Sequence, residues 1–180
     1  MKGRWPAITL YVVVWLATGF AAAAILLLVL RDGDDGKASL PPVQQTALRV
    51  AAQRAGCELR AGGGQRRDEP PVAGGPAAPA APGFYGSAPP RSAIVGALRR
   101  GIVVISYRPD ITREQRALLR ALQDAVPRGT IVAPNEAMPF AIAVTAWRRL
   151  LGCRRAGPET IDALRLFRGR FVGEGPDSPS

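Results

Sequence analysis

The hydrophobic positions of this 180-residue chain fall into three regimes: one unbroken apolar run, one stretch without a periodic apolar face, and several short segments with helix or strand spacing. From Ala7 to Leu30 no charge interrupts AITLYVVVWLATGFAAAAILLLVL. That length crosses a hydrocarbon core of about 30 Å at about 1.5 Å per helical residue. The pattern predicts a short tail over 1–6, a transmembrane helix over 7–30 and a linker over 31–42. A cleaved signal peptide is the alternative, with Lys2 and Arg4 as its basic region and Ala21 to Ala24 as small residues for a peptidase. Cleavage there leaves AILLLVL exposed at the new terminus, which favours an uncleaved anchor.

Beyond the linker the spacing predicts one α/β (or α+β) domain over 43–172. Val43, Ala47, Leu48, Ala51, Ala52 and Ala55 recur at helical period before Gly56, and Cys57 to Arg60 reads as a short strand. Residues 61–92 are so rich in Gly, Pro and Ala that they read as a long irregular loop, with Phe84-Tyr85-Gly86 as an aromatic staple. The Gly62-Gly63-Gly64 run lacks the Gly-Lys-Ser/Thr ending of a phosphate cradle. Gly101 to Tyr107 is a β-branched run suited to a buried strand. Thr112 and Gln115 form a capping-box pattern, followed on one helical face by Leu118, Leu119, Leu122 and Val126. Pro127 and Gly129 end that helix, and Thr130 to Ala133 is a second strand, giving a βαβ unit with an expected right-handed crossover. Ala141 to Thr145 reads as a third strand. Ile161, Leu164, Leu166 or Phe167, and Phe171 outline a closing helix after Pro158, and 173–180 reads as a disordered polar tail.

Composition narrows the chemistry. The chain has no histidine, which excludes Ser/His/Asp and Cys/His catalysis and histidine metal ligation. Its two cysteines, Cys57 and Cys153, form no C-x-x-C motif, so they are either unpaired or paired with each other. A bridge in an oxidising compartment closes a loop of roughly 100 residues and adds about 4–5 kcal/mol; two buried thiols are the other reading. The net charge of +10 attracts anionic partners without specifying one. Asp110, Glu114, Asp124, Glu136, Glu159, Asp162, Glu174 and Asp177 show no spacing that demands a metal or a carboxylate pair. The pairs Arg66-Arg67, Arg99-Arg100, Arg148-Arg149 and Arg154-Arg155 have a solvated basic surface as their default role. Lys2 and Arg4 before the apolar run balance Arg31 and Lys37 after it, and the free amino terminus tips the orientation toward N-in, C-out.

Several blocks in unbroken order carry a resemblance: Pro70-Pro71-Val72-Ala73-Gly74, Phe84-Tyr85-Gly86, Gly101 to Tyr107, Val132-Ala133-Pro134, Met138-Pro139 and Thr145-Ala146-Trp147-Arg148-Arg149-Leu150. Over roughly Leu48 to Phe171 the chain resembles the domain of unknown function 3105 family, bacterial anchored or exported proteins without an established activity. That family usually carries P-P-T-S-G-P-H in the loop and V-H-x-L-E-H-G before the first core strand. Here Pro76 and Gly96 stand at the first two histidine positions, and Arg99 and Arg100 replace the Glu and His of L-E-H-G. The resemblance therefore implies a divergent member without the family's histidine chemistry. Some relatives carry cysteines at the positions of Cys57 and Cys153, which favours the bridge.

The reading of the whole is a single-pass cell-membrane protein with a cytoplasmic N-terminus and an extracytoplasmic domain. That domain is expected to be a non-catalytic binding module that takes no cofactor. An envelope protein or anionic surface is the expected partner, and nucleic acid is disfavoured by topology. The alternatives are a carboxylate- or metal-dependent envelope enzyme and an electrostatic binder of anionic lipid or wall polymer. The sequence leaves the oligomeric state open.

Overall fold

The computed structural model describes residues 47–62 and 66–178. The expected tail, transmembrane helix and linker, together with the first residues of the helix from Val43, lie outside the described residues. Among the described residues, no helix is long and apolar enough to cross a membrane.

In chain order the elements are α1 (Leu48–Arg54), β1 (Cys57–Ala61), β2 (Gly83–Phe84), α2 (Arg91–Arg99) and β3 (Val103–Tyr107). They continue with α3 (Arg113–Ala125), β4 (Thr130–Pro134), β5 (Ile142–Ala146), β6 (Arg149–Cys153) and α4 (Pro158–Phe171). One mixed six-stranded sheet has the order β1-β6-β5-β3-β4-β2. β3 runs parallel to β4 and β4 to β2, while β3–β5, β5–β6 and β6–β1 are antiparallel. The β3-α3-β4 unit is the one the spacing predicts. Its helix starts on the expected capping box: Thr112 Oγ1 accepts from the Gln115 N–H at 3.1 Å, and Gln115 Oε1 accepts from the Thr112 N–H at 2.8 Å.

Two layers cover the sheet. On one face Val103, Ile105, Tyr107, Val132, Ile142, Val144 and Leu151 meet Leu48 and Ala52 of α1, Leu119 and Leu122 of α3, and Leu164 and Phe167 of α4. The period-2 alternation of the strands sends Val104, Ile131 and Ala133 to the other face, under Ile94, Ala97 and Leu98 of α2. Val72 of the loop covers Met138, Phe140, Ala143 and Leu150 beside them. Both faces are thus buried, which explains why every residue of β3 and β5 is buried. Arg168 is buried on α4 and donates to the carbonyl of Leu122 near the C-terminal end of α3, an unpaired acceptor at a negative dipole end. Burial, then the neighbouring Arg165, lowers its affinity for the proton.

Three features depart from the sequence reading. α2 lies where only the resemblance had marked a motif, because Gly96 and the preceding prolines obscure a helix with a short apolar face. β6 follows β5 through the two-residue turn Trp147-Arg148; its paired arginines and Gly152 break the strand pattern. The third is the stretch expected as a loop over 61–92: its described residues contain β2 and the start of α2, Glu69, Pro70, Pro71 and Val72 are buried, and Val72 and Ala80 pack on the second face. Its small residues permit this close approach. An added Cβ on Gly96 would lie 2.4 Å from the Ala77 carbonyl oxygen and 2.9 Å from backbone atoms of Ala78. Since backbone cannot swing aside as a side chain can, Gly96→Ala is expected to destabilise the fold by about 1–3 kcal/mol, read as a lower urea midpoint at unchanged slope.

Candidate functional site

The disulfide and the residues of the altered family motif occupy different places. Cys57 and Cys153 are bonded, and they sit directly opposite each other in the β1–β6 ladder. The bond joins the outer strand of the sheet to its neighbour, with Cys153 fully buried in the main core. The open choice between free thiols and a bridge is thereby settled as a bridge.

Of the motif positions, the fold brings Gly74, Gly96 and Arg99 together. Gly74 approaches Val95 of α2, Gly96 faces the backbone of Ala77 and Ala78 just past the exposed Pro76, and Arg99 Nη1 donates to the Gly74 carbonyl at 3.4 Å. Pro70 and Pro71 are buried further back, beside Glu69 and Val72. Arg100 is exposed and bears on the cluster only through its charge on Asp177.

Arg99 is the organising residue. Its Nε and Nη2 donate to the two carboxylate oxygens of Asp177 at 2.6 and 2.8 Å, the planar fork matching the carboxylate. Its guanidinium also lies 5.4 Å from the centre of the Trp147 ring. The hydrogen bond from Arg99 holds the Asp177 carboxyl below its usual value, and the same bond raises Arg99. The Asp177 N–H donates to the Arg99 carbonyl and the Gly173 N–H to the Gly101 carbonyl, both at 2.8 Å. Residues 173–178, expected as a frayed tail, therefore lie along the turn between α2 and β3.

Beside this cluster the β5–β6 turn opens a cavity of about 570 Å³ lined by Trp147, Arg148, Arg149, Phe171 and Glu174. Its walls combine two aromatic rings with two cations and the Glu174 carboxylate. The turn is fixed from both sides: the Arg148 N–H donates to the Val72 carbonyl at 2.7 Å, and the Arg148 carbonyl accepts from the Gly62 N–H at 2.9 Å. Arg148 takes φ 55°, a left-handed conformation that costs a non-glycine residue about 1–2 kcal/mol. Glycine removes that cost but loses about 0.5–1 kcal/mol more chain entropy on folding, so Arg148→Gly is expected to leave stability unchanged or raise it by up to about 1.5 kcal/mol, measured by chemical denaturation. Any anion held in the cavity should at the same time bind more weakly to that variant.

A second crevice of about 520 Å³ lies at the carboxyl ends of β3 and β4, lined by Ser87, Tyr107, Arg116, Asn135 and Glu136. Ends of parallel strands are common ligand sites in α/β sheets. Here Arg116 stacks 5.7 Å from the Tyr107 ring centre and donates to the Pro109 carbonyl at 3.2 Å.

Four of the candidate carboxylates take structural positions, while Glu174 and Glu136 line the two cavities. Asp110 pairs with Arg108 at 2.7 Å, Asp162 faces Arg165 at 3.9 Å, and Glu114 and Glu159 sit in the first turns of α3 and α4. Among the described residues no group of three or more Cys, Asp or Glu side chains is placed to hold a metal ion. The resemblance marked Trp147 and Arg148. It gave no sign that Phe171 and Glu174 share their cavity, because the closing helix and the tail after it carry no motif.

Residues 66–168 match the family model described as Protein of unknown function (DUF3105). No curated protein and no solved structure matches the chain.

Proposed function

Since this chain belongs to the DUF3105 family of proteins of unknown function, we propose that it is a binding module held on the outer face of the cell membrane by its N-terminal apolar segment. The observation that carries the location is the bond between Cys57 and Cys153. Structural disulfides persist in oxidising compartments and are rare where thiols are kept reduced. The apolar run from Ala7 to Leu30 supplies the anchor. The cavity beside Trp147 and Arg148 supports binding: cations and aromatic faces are gathered there on a turn held at a conformational cost.

The topology is tested with the full chain fused at its C-terminus either to alkaline phosphatase, which folds actively only outside the cytoplasm, or to a reporter active only inside it. The expected result is phosphatase activity in the membrane fraction and a silent cytoplasmic reporter. The reverse pattern overturns the outward orientation.

A further inference from the structure

A third concavity, of about 610 Å³, lies where the chain enters the domain, between α1, β1 and the end of α4. Leu48, Arg49, Leu59, Arg149, Arg170 and Phe171 line it. Two guanidinium groups flank one ring: Arg149 lies 5.8 Å and Arg170 5.7 Å from the centre of Phe171. Leu59, 37% exposed, and the half-buried Phe171 are apolar side chains of this wall. This combination of apolar side chains with cations is that of a protein surface lying in a lipid headgroup layer.

The chain also enters the domain on this side: residues 31–47 separate the apolar run from α1, so this face stands next in sequence to the anchor.

We propose that the face formed by Arg49, Leu59, Arg149 and Arg170 docks on anionic phospholipid headgroups of the membrane that anchors the chain. The inference rests on the anchored reading given above, and it names a surface and a ligand class for it. Arginine guanidinium groups bind headgroup phosphates, while Leu59 enters the headgroup layer.

The test is hydrogen exchange of the full chain in lipid nanodiscs of phosphatidylglycerol and of phosphatidylcholine. Segments 48–61 and 165–173 are expected to exchange several-fold more slowly in the anionic disc, and the difference should vanish in about 0.5 M salt. It should also vanish in the Arg49→Ser/Arg149→Ser/Arg170→Ser variant. It should persist in Arg113→Ser/Arg128→Ser/Arg154→Ser, which removes the same charge from other exposed positions. Equal exchange in the two lipids, with the chain still in the disc, overturns the docking surface and leaves the anchor intact. The same holds if both variants lose the protection, or if it appears only on adding a soluble polyanion. A chain that separates from the disc refutes the anchored reading itself, and the docking inference with it.

Discussion

Replacing Cys57 and Cys153 with serine is expected to lower the unfolding free energy by about 4–5 kcal/mol, the largest effect of any change considered. The bond spans a sequence separation of 96 residues, and most of its contribution comes from restricting the unfolded chain, which grows with the length of the closed loop. A domain of this size has about 5–15 kcal/mol in total, so the doubly substituted protein stands near the limit of stability. The midpoint of thermal unfolding should fall by about 10–20 °C. Location adds a local consequence. β1 is an outer strand that pairs with β6 alone, and α1 leads directly into it. Without the bond, residues 48–61 should lose amide protection before the β3-α3-β4 unit does. Thermal melts with and without reductant give the measurement, and an unchanged midpoint after complete reduction contradicts the account.

The second large effect is expected at Glu69. Its side chain is buried and lies 2.5 Å from Arg60 of β1, its Oε2 accepts from the Arg66 N–H at 3.3 Å, and its carbonyl accepts from Arg91 of α2 at 3.2 Å. One residue thus fastens the covering loop to the outer strand and to α2. Burial pushes the carboxyl upward, but the hydrogen bonds from Arg60 and Arg66 outweigh it, and the folded value lies below the ordinary one. Removing one partner of a buried pair costs about 3–5 kcal/mol. Arg60 is 30% exposed and retains Glu58 at 2.9 Å, so about 2–3 kcal/mol is expected for Glu69→Gln at neutral pH. The pH dependence follows from the depressed value. The contribution of Glu69 is complete above the unfolded carboxylate value of about 4.3 and is lost as pH falls through the folded one. Urea unfolding at neutral and acidic pH should therefore show a wide gap between wild type and Glu69→Gln that closes in acid. A gap independent of pH contradicts the ionised pair.

The parts of the fold with strong local signals were legible in the sequence. The run Gly101 to Tyr107, the capping box at Thr112 and Gln115, and the apolar spacing after Pro158 each specify an element by physics confined to a few residues. α2 and β6 were not legible, since Gly96, Gly152 and the paired arginines weaken their patterns, and tertiary burial supplies what local propensity lacks. The loop was legible as irregular but not as a layer. Gly, Ala and Pro suit a flexible linker and equally suit a backbone lying against a helix, and only the fold distinguishes the two. The motif resemblance located Arg99 and Trp147, while Asp177, the partner of Arg99, lies in a tail whose composition gave no signal of order. Glu69 stands in a polar run, Arg66-Arg67-Asp68-Glu69, where nothing local separates the buried acid from its exposed neighbours.

A disulfide-closed domain on the outer face of the membrane, as proposed, can be recognised by thiol labelling of intact cells with a membrane-impermeant maleimide. No label is expected on the native chain, and label is expected at the half-buried Cys57 after reduction, absent in Cys57→Ser. Labelling that requires permeabilised cells and no reductant would place free thiols on the cytoplasmic side and contradict the proposal.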